Sequence, residues 1–159
     1  MANYIYPAPG VTDVEATLKL QIQADSGNNV LTVPSLQDIT VNAANDTFQW
    51  TQLDEAAKKT IATTSTNSLS MNLVMNTTTF FGTAGTGTTA TAAGIMGMST
   101  QKNLVEFELY LGDDSTGGTA SKTLSGTGYI TGLAPTVSAD SPVWVSPITI
   151  SMDSDYTIT

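Results

Sequence analysis

The chain has 159 residues and contains no cysteine, histidine or arginine, which removes disulfides and thiol chemistry, the usual general base and metal ligand, and the bidentate phosphate clamp. Five lysines stand against fourteen acids, and the resulting charge of −9 repels nucleic acid rather than gathering it. One domain is expected over 1–159, burying about 70% of its unfolded surface and needing no staples. Threonine and serine replace most of the usual charge, and threonine favours strands. The start, Met1 to Pro7, lacks the basic and apolar regions of a signal peptide, and no apolar run reaches the ~18 residues of a membrane span. The expectation is synthesis in the cytoplasm with no membrane partner.

Residues 1–12 read as an extended arm. Pro7 and Pro9 forbid a helix, and Tyr4, Ile5 and Tyr6 offer large apolar side chains either to the domain's own edge or to a neighbouring subunit. From Val14 to Ala24 apolar and polar residues alternate, which predicts a half-buried strand. A turn at 25–29 precedes a short strand, Val30 to Val33. Leu36 to Trp50 holds the next strand, with Ile39 and Val41 on one face and a turn or bulge expected at Asn42 to Asp46. Phe48 and Trp50 resume the alternation.

Thr51 to Lys59 is the most helical stretch: Thr51 can cap, Asp54 follows at capping-box spacing, and Lys58 and Lys59 suit the C-terminal end of the dipole. Two turns fit, so a small helical loop is predicted. Its charges, Asp54, Glu55, Lys58 and Lys59, form either a solvated face or a specific contact. Ile61 to Met75 is a long strand. A Thr/Ala/Gly-rich stretch follows, with caps offered at Thr86 to Thr89 and a helix predicted over 88–98, where Ala92, Ile95 and Met98 share a face.

Three strands close the chain. In Leu104 to Leu111 the apolar Val105, Phe107, Leu109 and Leu111 share one parity while Glu106 and Glu108 hold the other, so one face is wet. Thr123 to Leu133 and Val143 to Met152 follow. Pro147 cannot donate to a ladder and predicts an edge or a bulge. Residues 153–159 form a second arm. About seven strands, one helix and a long hairpin over 39–64 make a mainly β, single-domain β-sandwich or partial barrel.

No catalytic set is available. Ser/His/Asp and Cys/His arrangements are impossible, and no lysine sits in the apolar setting a serine–lysine pair needs. The pairs Asp113–Asp114 and Asp153-x-Asp155 lack the shaped oxygen-rich loop of a calcium site. Gly85-x-Gly87 lacks a phosphate-loop context. Catalytic residues, metal and cofactors are all expected to be none. Trp50 and Trp144 could stack a sugar, but alternating strand spacing favours core.

The stretch from Ser65 to Tyr156 resembles the major tail tube protein of long-tailed (siphovirus- and myovirus-type) bacteriophages. Asn67 to Met75 resembles the strand before that family's helix, Thr88 to Met98 the helix, and Leu104 to Leu111 the strand after it. Gly126 to Leu133 resembles its Gly-rich strand, and Ser138 to Ile150 its closing turn and strand. Ile39 to Thr64 resembles the hairpin that links neighbouring rings. The helix region is richer in Gly and Thr than the family's, and five lysines leave no basic outer patch.

The resemblance implies a structural virion protein of the tail. Six copies would form a ring and rings would stack into a tube. The tube would hold a tape-measure protein, meet tail-tip or terminator proteins and, in some tails, a sheath protein. DNA would pass through the lumen without specific binding. Asp54, Glu55, Lys58 and Lys59 would form the stacking loop between rings. Tyr4, Ile5 and Tyr6 would form an inter-subunit arm, and Glu106 and Glu108 would line the lumen. The alternatives are a β-sandwich glycan-binding module or adhesin using Trp50 or Trp144, or another virion part such as a capsid decoration or neck protein.

Overall fold

The computed structural model describes residues 18–27, 29–33, 36–54, 56–111 and 122–159. The arm with Tyr4, Ile5 and Tyr6, the Asp113–Asp114 pair and Glu55 lie outside the described residues. In chain order the elements are β1 (Leu18–Ile22), β2 (Leu31–Val33), β3 (Leu36–Trp50), β4 (Lys59–Val74), α1 (Thr77–Phe81), α2 (Ala90–Thr100), β5 (Leu104–Tyr110), β6 (Thr123–Leu133), β7 (Thr136–Ser138), β8 (Ser141–Met152) and β9 (Thr157–Ile158).

All the strands belong to one antiparallel sheet, whose main path runs β2-β1-β5-β6-β8-β4-β3. These seven are the strands the alternation predicts; β7 and β9 are short additions on β8 and β6. The path begins with β2 and ends with β3, yet only residues 34 and 35 separate the two in sequence. Three virtual bonds span no more than about 11 Å. The sheet therefore curls until its ends approach, without β2 pairing to β3 among the described residues. This is the partial-barrel form of the expectation.

Period-2 alternation fills the inside of the curl. Leu18 and Leu20 of β1, Leu69 and Leu73 of β4, Phe107 and Leu109 of β5, and Ile148 and Ile150 of β8 are all buried there. The helices cover this core: Phe80 of α1 and Ile95 and Met98 of α2 reach zero exposure. Each such side chain contributes about 1.5–3 kcal/mol by leaving water. The opposite face carries Glu106, Glu108, Ser125, Thr127, Ser151 and Ser68, in mutual register across four strands.

Two helices stand where one is expected. Asn76 caps α1 by accepting from the N–H groups of Thr78 and Thr79 at 2.9 and 3.3 Å. Thr89 caps α2 by accepting from Ala92 N–H at 3.3 Å. Between them the backbone crosses itself at two glycines. Gly82 lies at φ 70°, ψ −179° and Gly94 at φ 66°, ψ 178°, the latter kinking α2. No helix among the described residues is long and apolar enough to cross a membrane.

The predicted helical loop at Thr51 to Lys59 does not form. Of the described residues there, Leu53 and Asp54 form a turn and Ala56 and Ala57 a bend at the hairpin tip, and Lys59 already belongs to β4. At Asn42 to Asp46 the bulge alternative holds: β3 runs through without turning, and the extra residue lies in β4, where Thr63 and Thr64 both stand opposite Asp46. Pro147 also departs from expectation, because β8 is an internal strand. Met75 N–H donates to Trp144 C=O, and alternation from there makes Asn72 and Pro147 a non-hydrogen-bonded pair. On its other side Pro147 faces the gap between β6 and β7. There the buried Ser146 hydroxyl accepts from Ala134 N–H at 3.3 Å and donates to the Pro147 carbonyl at 3.0 Å, so the missing donor is tolerated.

Candidate assembly surfaces

β3 and β4 are far longer than their neighbours, so they outrun the sheet. β8 accompanies β4 only from Ser68 to Val74, leaving 43–50 and 59–67, among the described residues, paired to each other alone. Over this length the hairpin is largely exposed on both faces. Its tip carries apolar residues that nothing among the described residues covers. Phe48 stacks on Trp50 with ring centroids 5.9 Å apart and planes at 23°, and Ile61 stands opposite Phe48. Phe48 is 57% exposed and Ile61 49%, while Leu53 projects fully from the turn. Asp54 and Lys58 are exposed in the same turn, and Lys59 Nζ donates to Gln52 Oε1 at 2.9 Å. Three of the four predicted loop residues are thus gathered at one tip, and the fourth, Glu55, lies outside the described residues.

A strap from the C-terminal segment fixes the hairpin at its base. Between β8 and β9 the chain leaves the sheet for residues 153–156. Asp155 accepts from Ser65 Oγ and from Asn67 Nδ2, the latter at 3.2 Å. Tyr156 Oη donates to the carbonyls of Asn42 and Ser68, at 2.7 and 2.9 Å, which lie opposite each other in β3 and β4. Burial raises the Tyr156 phenol above its ordinary pKa, and its bond to Ser68 opposes that shift. Asp153 in turn accepts from Thr127 of β6. The carboxylates of the Asp153-x-Asp155 pair are therefore each engaged by hydroxyl or amide donors of different strands. In place of a free C-terminal arm, β9 pairs with β6 and Thr159 and Thr123 exchange backbone hydrogen bonds of 2.8 and 3.0 Å.

A second apolar surface lies at the far end of β4. Met75, α1, α2 and the β7–β8 hairpin surround a cleft of about 540 Å³. Phe81 and Met96 form one wall, Pro142, Val143 and Trp144 the other. Trp144 is 52% exposed and Trp50 lies at the hairpin tip, so neither tryptophan is the core residue its spacing predicts. Alternation tells which face a side chain is on, and among the described residues nothing covers that face.

Glu106 and Glu108 lie exposed on the hydroxyl-rich outer face, as the alternation requires. Lys19 of β1 stands beside them, its Nζ 4.7 Å from the Tyr110 ring centroid and 3.3 Å from Tyr110 Oη, which donates to Glu108 at 3.1 Å. Elsewhere Asp25 closes the β1–β2 turn; bonds from the Gly27 N–H and the Asn29 amide hold its carboxyl below the usual range. Among the described residues no three acidic groups converge as metal ligands would.

No family model matches the sequence, and no curated protein matches it either. Solved structures do share the fold. A chain from the tail of an empty gene transfer agent particle, computed with helical refinement and C6 symmetry, superposes over 89% of this chain and 95% of its own with a TM-score of 0.63 at 13% identity. A chain from the sixfold-symmetrised anti-feeding prophage baseplate matches over 97% of both chains, with a TM-score of 0.63 at 11% identity. One from the anti-feeding prophage tube terminating cap matches over all of this chain and 94% of its own, with a TM-score of 0.56 at 15% identity. The fold is thus that of components of phage-like tails and injection systems, and the tail-tube resemblance of the sequence is borne out at the level of fold.

Proposed function

We infer that this chain is a structural subunit of a phage-like tail, forming a tube from stacked rings of six copies. The observation that carries this is the β3–β4 hairpin. It extends past its own sheet with uncovered strand edges and an apolar tip, a hazard for a monomer and a joint for an assembly. The sixfold symmetry reported for the gene transfer agent tail and the anti-feeding prophage baseplate supports the ring number. Terminator, cap and sheath–tube assemblies among the neighbours support terminator and sheath proteins as partners, beside a tape-measure protein within the tube.

In this role the hydroxyl-rich face with Glu106 and Glu108 lines the lumen. An acidic, arginine-free wall lets DNA pass without holding it. The arm with Tyr4, Ile5 and Tyr6 clasps the next subunit. Asp54, Glu55, Lys58 and Lys59 meet the adjacent ring. The chain works in the virion tail and performs no catalysis.

Negative-stain electron microscopy of the purified protein, dilute and then concentrated, tests the proposal. Hollow tubes or stacked rings are expected, and persistent monomers in the presence of a tail initiator complex would overturn it. Charge reversal at Lys58 and Lys59 (both to Glu) should hinder tube growth while leaving the circular dichroism spectrum of the monomer unchanged. Normal growth of that variant would remove the loop charges from the stacking contact.

A further inference from the structure

Among the described residues a convex and a concave apolar surface are left uncovered, and they sit at opposite ends of the same strand. Ile61 lies near the start of β4, facing Phe48 at the hairpin tip. Met75 follows the end of β4 and donates its N–H to Trp144 C=O at 2.8 Å, which places the cleft there. Fourteen strand steps separate Ile61 from Met75, roughly 45 Å at about 3.3 Å per residue. One copy cannot bring its own tip to its own cleft over that distance. A second copy displaced along the strand direction can.

We propose that the aromatic tip of one copy docks in the Trp144 cleft of the next. The inference rests on the tail-tube reading in that both require copies of this chain to assemble. Charge selects the occupant. Two molecules of −9 repel over most of their surfaces, yet among the described residues no charged side chain lines the cleft. The β7–β8 turn next to its Pro142 wall carries the exposed Asp140, and the incoming tip carries the exposed Lys58. Shape agrees: a stacked Phe48–Trp50 pair is a stiff apolar blade, and a volume of about 540 Å³ falls within the ~300–1,000 Å³ of clefts that enclose a ligand. Because donor and acceptor are different patches, the contact is heterologous, leaving each copy a free tip or cleft for the next until a ring closes or a filament extends.

The absence of cysteine makes a clean test. Ile61→Cys and Val143→Cys are both at exposed positions, and each would carry the chain's sole thiol. Mixed under mild oxidation, they should form a heterodimer whose disulfide-linked peptides join the tip to the cleft. An Ile61→Cys chain mixed with a Lys122→Cys chain, whose thiol lies away from the cleft, serves as the control. Adding Trp50→Ser to the Ile61→Cys chain should lower the yield at least about tenfold, the loss typical of a central aromatic anchor. Linkage to Val143→Cys no greater than to Lys122→Cys would overturn the proposal, as would an unaffected yield in the Trp50→Ser chain with its fold verified by circular dichroism. Microscopy of the unmodified protein separates the two readings. Tubes without tip-to-cleft linkage would sink the docking and leave the tube standing. Linkage in open chains that never close into rings would keep the docking and sink the tube. Occupancy of the cleft by a sugar, with no linkage, would sink the docking.

Discussion

At the scale of single residues, the helical layer depends on two glycines pressed together. A Cβ on Gly94 would lie 2.2 Å from Gly82 N and 2.5 Å from Phe81 C; one on Gly82 would lie 2.3 Å from Ala92 O. Both also have positive φ with ψ near 180°, a region that side chains other than hydrogen strain to enter. Backbone cannot step aside as a side-chain tip can. Gly94→Ala should therefore lower stability by about 3 kcal/mol or more, from strain and overpacking together. Gly85 is the control. Its φ is +68°, but a Cβ there would meet only Phe81 O at 3.7 Å, so Gly85→Ala should cost about 1–2 kcal/mol, the conformational penalty alone. Urea unfolding midpoints of the three proteins check this, and equal losses would show that the crossing is not the tight point.

At the scale of elements, the strap determines how firmly the hairpin stands on the domain. Beyond Asn67 no third strand among the described residues joins the hairpin, and the Asp155 and Tyr156 side-chain bonds hold its base. Tyr156→Phe with Asp155→Ala removes them. The cost to global stability should be modest, about 1–3 kcal/mol for a few partly exposed bonds. The larger effect should be local: amide exchange in 61–67 should accelerate while that of buried β5 stays unchanged. Uniform acceleration throughout would mean the strap serves the whole fold and not the hairpin. None of this strap was legible in the sequence, where 153–159 looks like a loose tail. Its partners, Ser65 and Asn67, lie about ninety residues away, at a separation no periodicity reports. The strands were legible because β1, β5 and the second half of β4, from Asn67 to Val74, alternate without a break. The helix expected at 51–59 fails for the converse reason. Two turns are too few to hold a helix in water, and the pairing of β3 with β4 claims Lys59 first. Trp50 was misplaced because β3 does not turn at Asn42: with its parity unbroken, Phe48 and Trp50 fall on the face opposite Ile39 and Val41.

At the scale of the whole molecule, the sign of the salt dependence decides which contact drives assembly. In the proposed ring, six copies at −9 each would bring −54 together before any pairing between loops. Screening that repulsion favours assembly, and the Debye length shortens from about 30 Å at ~0.01 M salt to about 10 Å at ~0.1 M. An apolar tip in an uncharged cleft loses nothing to salt, so docking through Phe48, Trp50 and Trp144 predicts tubes that form at lower protein concentration as salt rises. Pairing between Asp54, Glu55, Lys58 and Lys59 across the ring junction predicts the reverse, since exposed ion pairs are worth little and weaken further with screening. Acid gives a second reading of the same balance. As the pH nears the sequence isoelectric point of about 4.1 the net repulsion vanishes and any carboxylate–lysine pairing weakens with it, while the apolar contact stays intact. Light scattering across salt at neutral pH, repeated in mild acid, should therefore show assembly promoted by both treatments. Tubes that dissolve in salt and in acid would assign the joint to the charged loop instead.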